Sequence, residues 1–185
     1  MLKLTEQYHI DTGSSNGNVS ETTIGGVYKG FKDVCDLGFG FTRVYALNGE
    51  GKSGSENRPN VNITARGGLF GHDFANRLML EYRDRTRGED TWRLREKIIL
   101  FSPFESDDTR GIRSLDRKKL QPYIAEEIFI DLTNEGFNQN RVYFGVRLKF
   151  FEHTSTDVHY MLQTLKSDSR WQNNNIIGID FTISF

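Results

Sequence analysis

From Trp171 to Phe185 (WQNNNIIGIDFTISF) polar residues give way to a regular alternation of apolar and small or polar ones. Read back from the carboxyl end, Phe185, Ile183, Phe181, Ile179 and Ile177 fall on one face of a β-strand. Ser184, Thr182, Asp180 and Gly178 fall on the other, because strand side chains alternate with period two. A face that is apolar throughout and ends on an aromatic ring needs an apolar environment. Lipid around a barrel supplies one, and so does the core of a soluble β-sandwich.

Nine further segments read as strands, separated by Gly, Asn, Asp and Ser turn chemistry. The ten predicted strands run at 2–11, 21–31, 36–47, 60–70, 73–85, 91–101, 122–132, 140–151, 157–166 and 173–185. Strand eight alternates most cleanly, with Val142, Phe144, Val146, Leu148 and Phe150 opposed to Arg141, Tyr143, Gly145, Arg147 and Lys149. In strand five Leu78, Leu80 and Tyr82 oppose Arg77, Glu81, Arg83 and Arg85. In strand six Trp92, Leu94, Ile98 and Leu100 oppose Arg93, Arg95 and Lys97. Strand four adds Arg66 with Asn62 and Thr64. A helix competes only in the charged stretch 113–120 (RSLDRKKL). No linker divides the chain, so one domain over 1–185 is expected.

The connections decide between the two environments. Links between strands two and three, four and five, and eight and nine are short. Those between one and two (DTGSSNGNVS) and three and four (NGEGKSGSENRPN) are long and polar. With a periplasmic carboxyl terminus the short links are periplasmic and both long ones extracellular, the asymmetry of outer-membrane barrels. Residues 102–121 break the rule, being long yet periplasmic. Trp92 and Trp171 fall at extracellular strand ends with outward parity, while Phe31, Phe70, Phe74, Phe101, Phe151 and Phe185 gather at the opposite ends. Amphipathic rings take these places at the two membrane interfaces. The pattern predicts an all-β fold, a transmembrane, antiparallel, up-and-down β-barrel of about ten strands, with eight or twelve as alternatives. Its expected location is the bacterial outer membrane. Phe181, Ile183 and Phe185 then form the terminal signal read by the barrel-assembly machinery.

Composition changes this picture little. No stretch approaches the ~18 apolar residues of a membrane helix, but barrel strands need apolar residues only at every second position. The 24 Lys and Arg nearly balance the 25 Asp and Glu, for a formal net charge of −1, so no nucleic-acid partner is expected. Cys35 is the one cysteine and cannot form an internal disulfide. Met1 leads straight into an alternating segment, so no signal peptide is read, and a mature chain given a start methionine is expected. The expected partners of the monomer are outer-membrane lipid and lipopolysaccharide, whose phosphates the run RDRTRGED (83–90) could meet.

Turning the polar faces inward places Arg66, Arg77, Glu81, Arg83, Arg93, Arg95 and Lys97 on the lumen. Glu127, Asp131, Arg141, Arg147, Lys149 and Asp180 join them. The acids can meet some of these bases but not all. One reading is a salt-bridged, largely filled interior, because a barrel of this size is narrow and an unpaired buried guanidinium is costly. The other is a narrow, basic-walled channel that favours anions. Glu96, Glu126 and Arg43 carry outward parity, which at mid-membrane costs about 2–4 kcal/mol for Arg or Lys and less for Glu. A β-bulge or a position near the interface would remove the conflict.

Candidate chemistry is sparse. His153 and Ser155, in FFEHTSTDVHY, are the one local pair that suits a lipid-modifying outer-membrane enzyme, and a polar turn explains them more simply. His9, His72, His153 and His159 are dispersed, with no H-x3-H spacing and no Cys partner, so neither a metal site nor another cofactor is expected. Gly25-Gly26 and Gly67-Gly68 lie within strands and lack a phosphate-loop context. A non-enzymatic barrel is therefore expected, either a narrow anion-favouring channel or a closed structural barrel. A lipid-modifying enzyme is the second reading. A soluble lipocalin-like binding barrel, with the polarity restored, is the third.

The segment 123–150 (YIAEEIFIDLTNEGFNQNRVYFGVRLKF) resembles an uncharacterised family of Gram-negative outer-membrane barrels. The likeness rests on Glu126, Glu127, Phe129, Asn138, Gln139, Asn140, Arg141 and Gly145. NRLMLEYRDR and TWRLREKIIL resemble that family's Arg-rich strands, so the resemblance covers roughly 73–185, while the first 70 residues match only in style. It implies a barrel and a location, and no activity, ligand or catalytic residue.

Overall fold

A computed structural model describes residues 1–12, 18–30, 34–47, 53–102, 120–133, 136–167 and 170–185. They form ten strands: β1 (Leu2–Asp11), β2 (Asn18–Gly30), β3 (Cys35–Leu47), β4 (Ser53–Leu69), β5 (His72–Arg85), β6 (Thr91–Phe101), β7 (Leu120–Asp131), β8 (Gly136–Phe151), β9 (Thr154–Ser167) and β10 (Arg170–Ser184). Each pairs antiparallel with its sequence neighbours, and β10 closes on β1 to complete an up-and-down barrel. The seam runs from Lys3 opposite Ser184 to Asp11 opposite Ile176. At its end Leu2 N donates to Phe185 O (3.0 Å) and Phe185 N to Leu2 O (2.9 Å). Closure leaves no sheet edge, which lipid requires because it offers no hydrogen bonds to exposed backbone.

The alternation sets which face looks out. Phe144 is 50% exposed and Ile179 47%, whereas Glu81 and Glu127 on the opposite faces of their strands are each 1% exposed. This polarity is the reverse of a soluble lipocalin-like barrel. Strand lengths of 10 to 17 residues meet the roughly 9–11 that a tilted transmembrane strand needs.

The structure corrects several expectations. β4 begins at Ser53, not near residue 60, because SENRPN continues the strand and only 48–52 remain as the link to β3. Pro59 pairs with Phe41 of β3, while the pairing with β5 skips Arg58 and Pro59, where proline has no N–H to give. The longest link, between β6 and β7, lies where the sequence puts it, at the end carrying both chain termini (the inner end). Phe101 does not join the outward aromatics. It has inward parity and is buried, with its ring 5.7 Å from that of Tyr123. Phe70 does sit in the turn between β4 and β5, where it and Gly71 take positive φ (51° and 79°), and it is 93% exposed. Phe31 and residues 113–119 lie outside the described residues, and Leu120 opens β7.

The three outward charges picked out in the sequence, Arg43, Glu96 and Glu126, each meet a polar side chain. Arg43 donates to Ser55 Oγ (3.0 Å) and to Asn57, which in turn donates to Asp84 (3.0 Å), near the outer ends of β3 to β5. Glu96 accepts from Asn76 and Glu126 from Asn140, each at 2.9 Å. The register shifts among the described strands lie elsewhere, at Phe129/Ile130 and Lys149/Phe151. A polar neighbour, not a bulge, therefore meets each of these charges.

Candidate functional site

The inward faces build two different halves. Towards the outer end, ion pairs and one buried aromatic ring line the inward faces. Glu56 of β4 pairs with Arg83 of β5 and with Arg58 (2.9 Å), and Arg58 reaches Glu21 of β2 at 3.4 Å. Glu81 of β5 pairs with Arg93 of β6 and with Arg95 at 3.0 Å. Arg95 also donates to Glu127 of β7 at 2.7 Å. Glu127 further accepts from Tyr143 Oη (2.7 Å) and from Arg77 (3.4 Å). Phe129, fully buried, lies beneath this network. The guanidinium carbons of Arg93, Arg95 and Arg141 stand 4.8, 4.9 and 4.9 Å from its ring centre. One ring thus carries three cations by cation–π attraction, and carboxylates hold two of them from the other side.

Towards the inner end the lumen opens into a cavity of about 340 Å³ lined by all ten strands. It reaches the exposed Met1 and Lys3 and stops at Glu21, Arg95 and Glu127. Among its described lining residues seven are basic and five acidic. Arg147 is held bidentately by Asp157, both contacts 2.7 Å, and Arg66 pairs with Asp36. Lys97 lies with its ammonium 3.9 Å from the Tyr143 ring centre. Arg141 donates to Gln163 Oε1 at 2.9 Å.

Of the residues expected on the lumen, Arg66, Arg77, Arg95, Lys97, Glu127, Arg141, Arg147 and Asp180 line the cavity. Glu81, Arg83 and Arg93 belong to the outer network. Asp131 is buried near the outer end and accepts from Thr133 N (2.9 Å). Lys149 is exposed at the inner rim, beside the register shift. Phe181 and Phe185 face outward, and Ile183 shares their parity. Sequence reading missed Glu56 and Arg58, which fell in the stretch taken for a loop. Glu21, Asp36 and Asp157 share inward parity, and strand alternation alone could have found them.

The histidines need a correction. Dispersed in sequence, His9 of β1 and His159 of β9 are brought together inside the barrel, their ring centres 5.6 Å apart. Asp180 of β10 reaches both, at 3.7 Å from His9 and 4.0 Å from His159. His153 instead sits exposed in the turn between β8 and β9, its carbonyl accepting from Ser184 N (2.8 Å).

A closed barrel with a charged interior and an apolar exterior invites comparison with known proteins. The family described as "Protein of unknown function (DUF2490)" matches residues 2–174. The chain belongs to that family. The match extends well before residue 73, where the recognisable motifs begin, so β1 to β4 are as much part of the pattern as the Arg-rich strands. No curated protein matches the chain. Among solved structures, the KdgM porin is similar with a TM-score of 0.53 at 13% identity over 99% of each chain. The KdgM porin in complex with disordered oligogalacturonate gives 0.52 at 12%, again over 99% of each. A bacterial polysaccharide outer membrane secretin gives 0.54 at 9%, over 92% of this chain and 57% of that one. At such identities the likeness is one of fold, and that fold is the outer-membrane β-barrel.

Proposed function

We propose that this protein is a non-enzymatic barrel of the bacterial outer membrane, closed across its outer half by its own side chains. Its inner half is a positively biased vestibule that opens to the periplasm and admits small anions. The observation that carries this reading is the network on Phe129. Ion pairs from Glu21, Glu56, Glu81 and Glu127 join β2 to β4 and β5, and β5 to β6 and β7, and the buried Phe129 ring lies against Arg93, Arg95 and Arg141 on the same inward face. The surplus of bases in the cavity supports the anion preference, because charge in a low-dielectric wall focuses potential on the enclosed space. Lipid surrounds the monomer, and the barrel-assembly machinery inserts it.

Planar-bilayer recording tests the proposal. The wild-type protein is expected to show no steady conductance, and Phe129→Ala combined with Arg93→Ala is expected to open an anion-preferring path. A steady conductance in the wild type would establish the open-channel reading instead. Cation preference in the opened variant would remove the assigned role of the basic lining.

A further inference from the structure

His9, Gly178 and His159 lie on a single cross-strand row, with His9 opposite Gly178 on one side and His159 opposite it on the other. The glycine makes the arrangement possible. A Cβ at position 178 would run into the His159 imidazole and come within 2.8 Å of the His9 ring. Two imidazoles therefore converge over the middle strand, and Asp180, two residues further along the same face, presents its carboxylate to both.

We propose that His9, His159 and Asp180 bind one divalent first-row transition-metal ion, with zinc(II) the best fit. One ligand atom from each residue lies within 4.8 Å of the others. Tetrahedral zinc, with bonds of about 2.0–2.2 Å, wants its donors roughly 3.4 Å apart, so donors that now lie within 4.8 Å of one another must draw in by side-chain rotation. The polar atoms also face only one another, at ion-pair and not hydrogen-bond distance. His9 Nε2, both ring nitrogens of His159 and Asp180 Oδ1 make no hydrogen bond, although His9 is 7% and His159 3% exposed. Protein interiors rarely leave such groups unmet, and a cation meets all three residues at once.

The donor set selects the metal. Two imidazoles and one carboxylate suit zinc and its transition-metal neighbours, not the all-oxygen shells of calcium or magnesium. His9 and Asp180 line the cavity, which provides an entry path. The site rests on the lumen geometry alone and does not depend on the closure or anion preference of the barrel.

The test uses tag-free, folded protein in detergent, stripped with chelator and titrated with zinc chloride by calorimetry and with cobalt chloride by visible absorption. One equivalent should bind, and cobalt should give the intense bands of a low-coordinate site. His9→Gln, His159→Gln and Gly178→Ala should each weaken binding by more than about tenfold, while His72→Gln and His153→Gln should leave it unchanged. Heat-modifiable gel mobility checks that each variant is folded. Zinc-edge X-ray absorption on the wild type, which needs no variant, should count two imidazoles. No saturable binding, no imidazole in the zinc shell, or full affinity in the folded His9→Gln/His159→Gln double variant overturns the site.

Discussion

Glu127 and Arg95 meet on a diagonal inside the barrel. The register sets Lys97, not Arg95, directly opposite Glu127, yet Arg95 Nη2 donates to Glu127 Oε1 at 2.7 Å and Lys97 turns to the Tyr143 ring. Diagonal cross-strand contacts are within reach of long side chains. This one frees Arg95 to bridge Glu127 and Glu81, so two carboxylates from different strands share one guanidinium.

Replacing Glu127 by Gln should therefore be costly. The carboxylate is buried and serves Arg95, Arg77 and Tyr143 together. Breaking a buried pair from one side costs about 3–5 kcal/mol, and Tyr143→Phe, which removes a hydrogen bond to a charged group, should cost about 1.5–3 kcal/mol. Urea unfolding in lipid vesicles measures both. Equal stability of wild type and E127Q would mean the lumen is wet enough to solvate the stranded guanidinium.

Arg93→Gln with Arg95→Gln strands Glu81, whose two basic partners in the network are these arginines. The double variant should unfold at lower urea than the wild type, and adding Glu81→Gln should recover part of the loss. If the triple variant is no more stable than the double, the ion pairs are not coupled as the geometry requires.

The outward face of β8 should tolerate apolar change and resist charge. Phe144→Leu should be nearly neutral, while Phe144→Arg should cost about 2–4 kcal/mol if the site lies near the bilayer midplane. Quenching by brominated lipid of a tryptophan placed at 144 gives an independent measure of depth. An unquenched tryptophan would place this half-exposed ring away from lipid.

Phe185 combines an exposed terminal ring with backbone bonds to Leu2 that close the seam. Phe185→Asp keeps those bonds and removes the ring, so lower outer-membrane yield with normal heat-modifiable mobility of the inserted fraction would assign the ring to assembly. Unchanged yield would leave the residue with only its seam role.

The period-two pattern by itself determined the strands and their polarity, because a one-residue slip in any strand would turn its apolar face into the lumen and its arginines into lipid. Strand six shows how far this goes, since Trp92, Leu94 and Arg93, Arg95 each take the face their parity assigns. The start of β4 was hidden because Pro59 and its polar neighbours carry loop chemistry, and only the ladder to β3 holds them extended. Closure decided the rest. Which carboxylate meets which arginine depends on register and strand tilt, so Glu56, far from Arg83 in sequence, becomes its partner. His9 and His159 meet only because β10 closes on β1 with a glycine between them. Alternation along one strand is local and legible in sequence. Proximity across a lumen follows from how all ten strands are joined, and only the folded barrel holds that information.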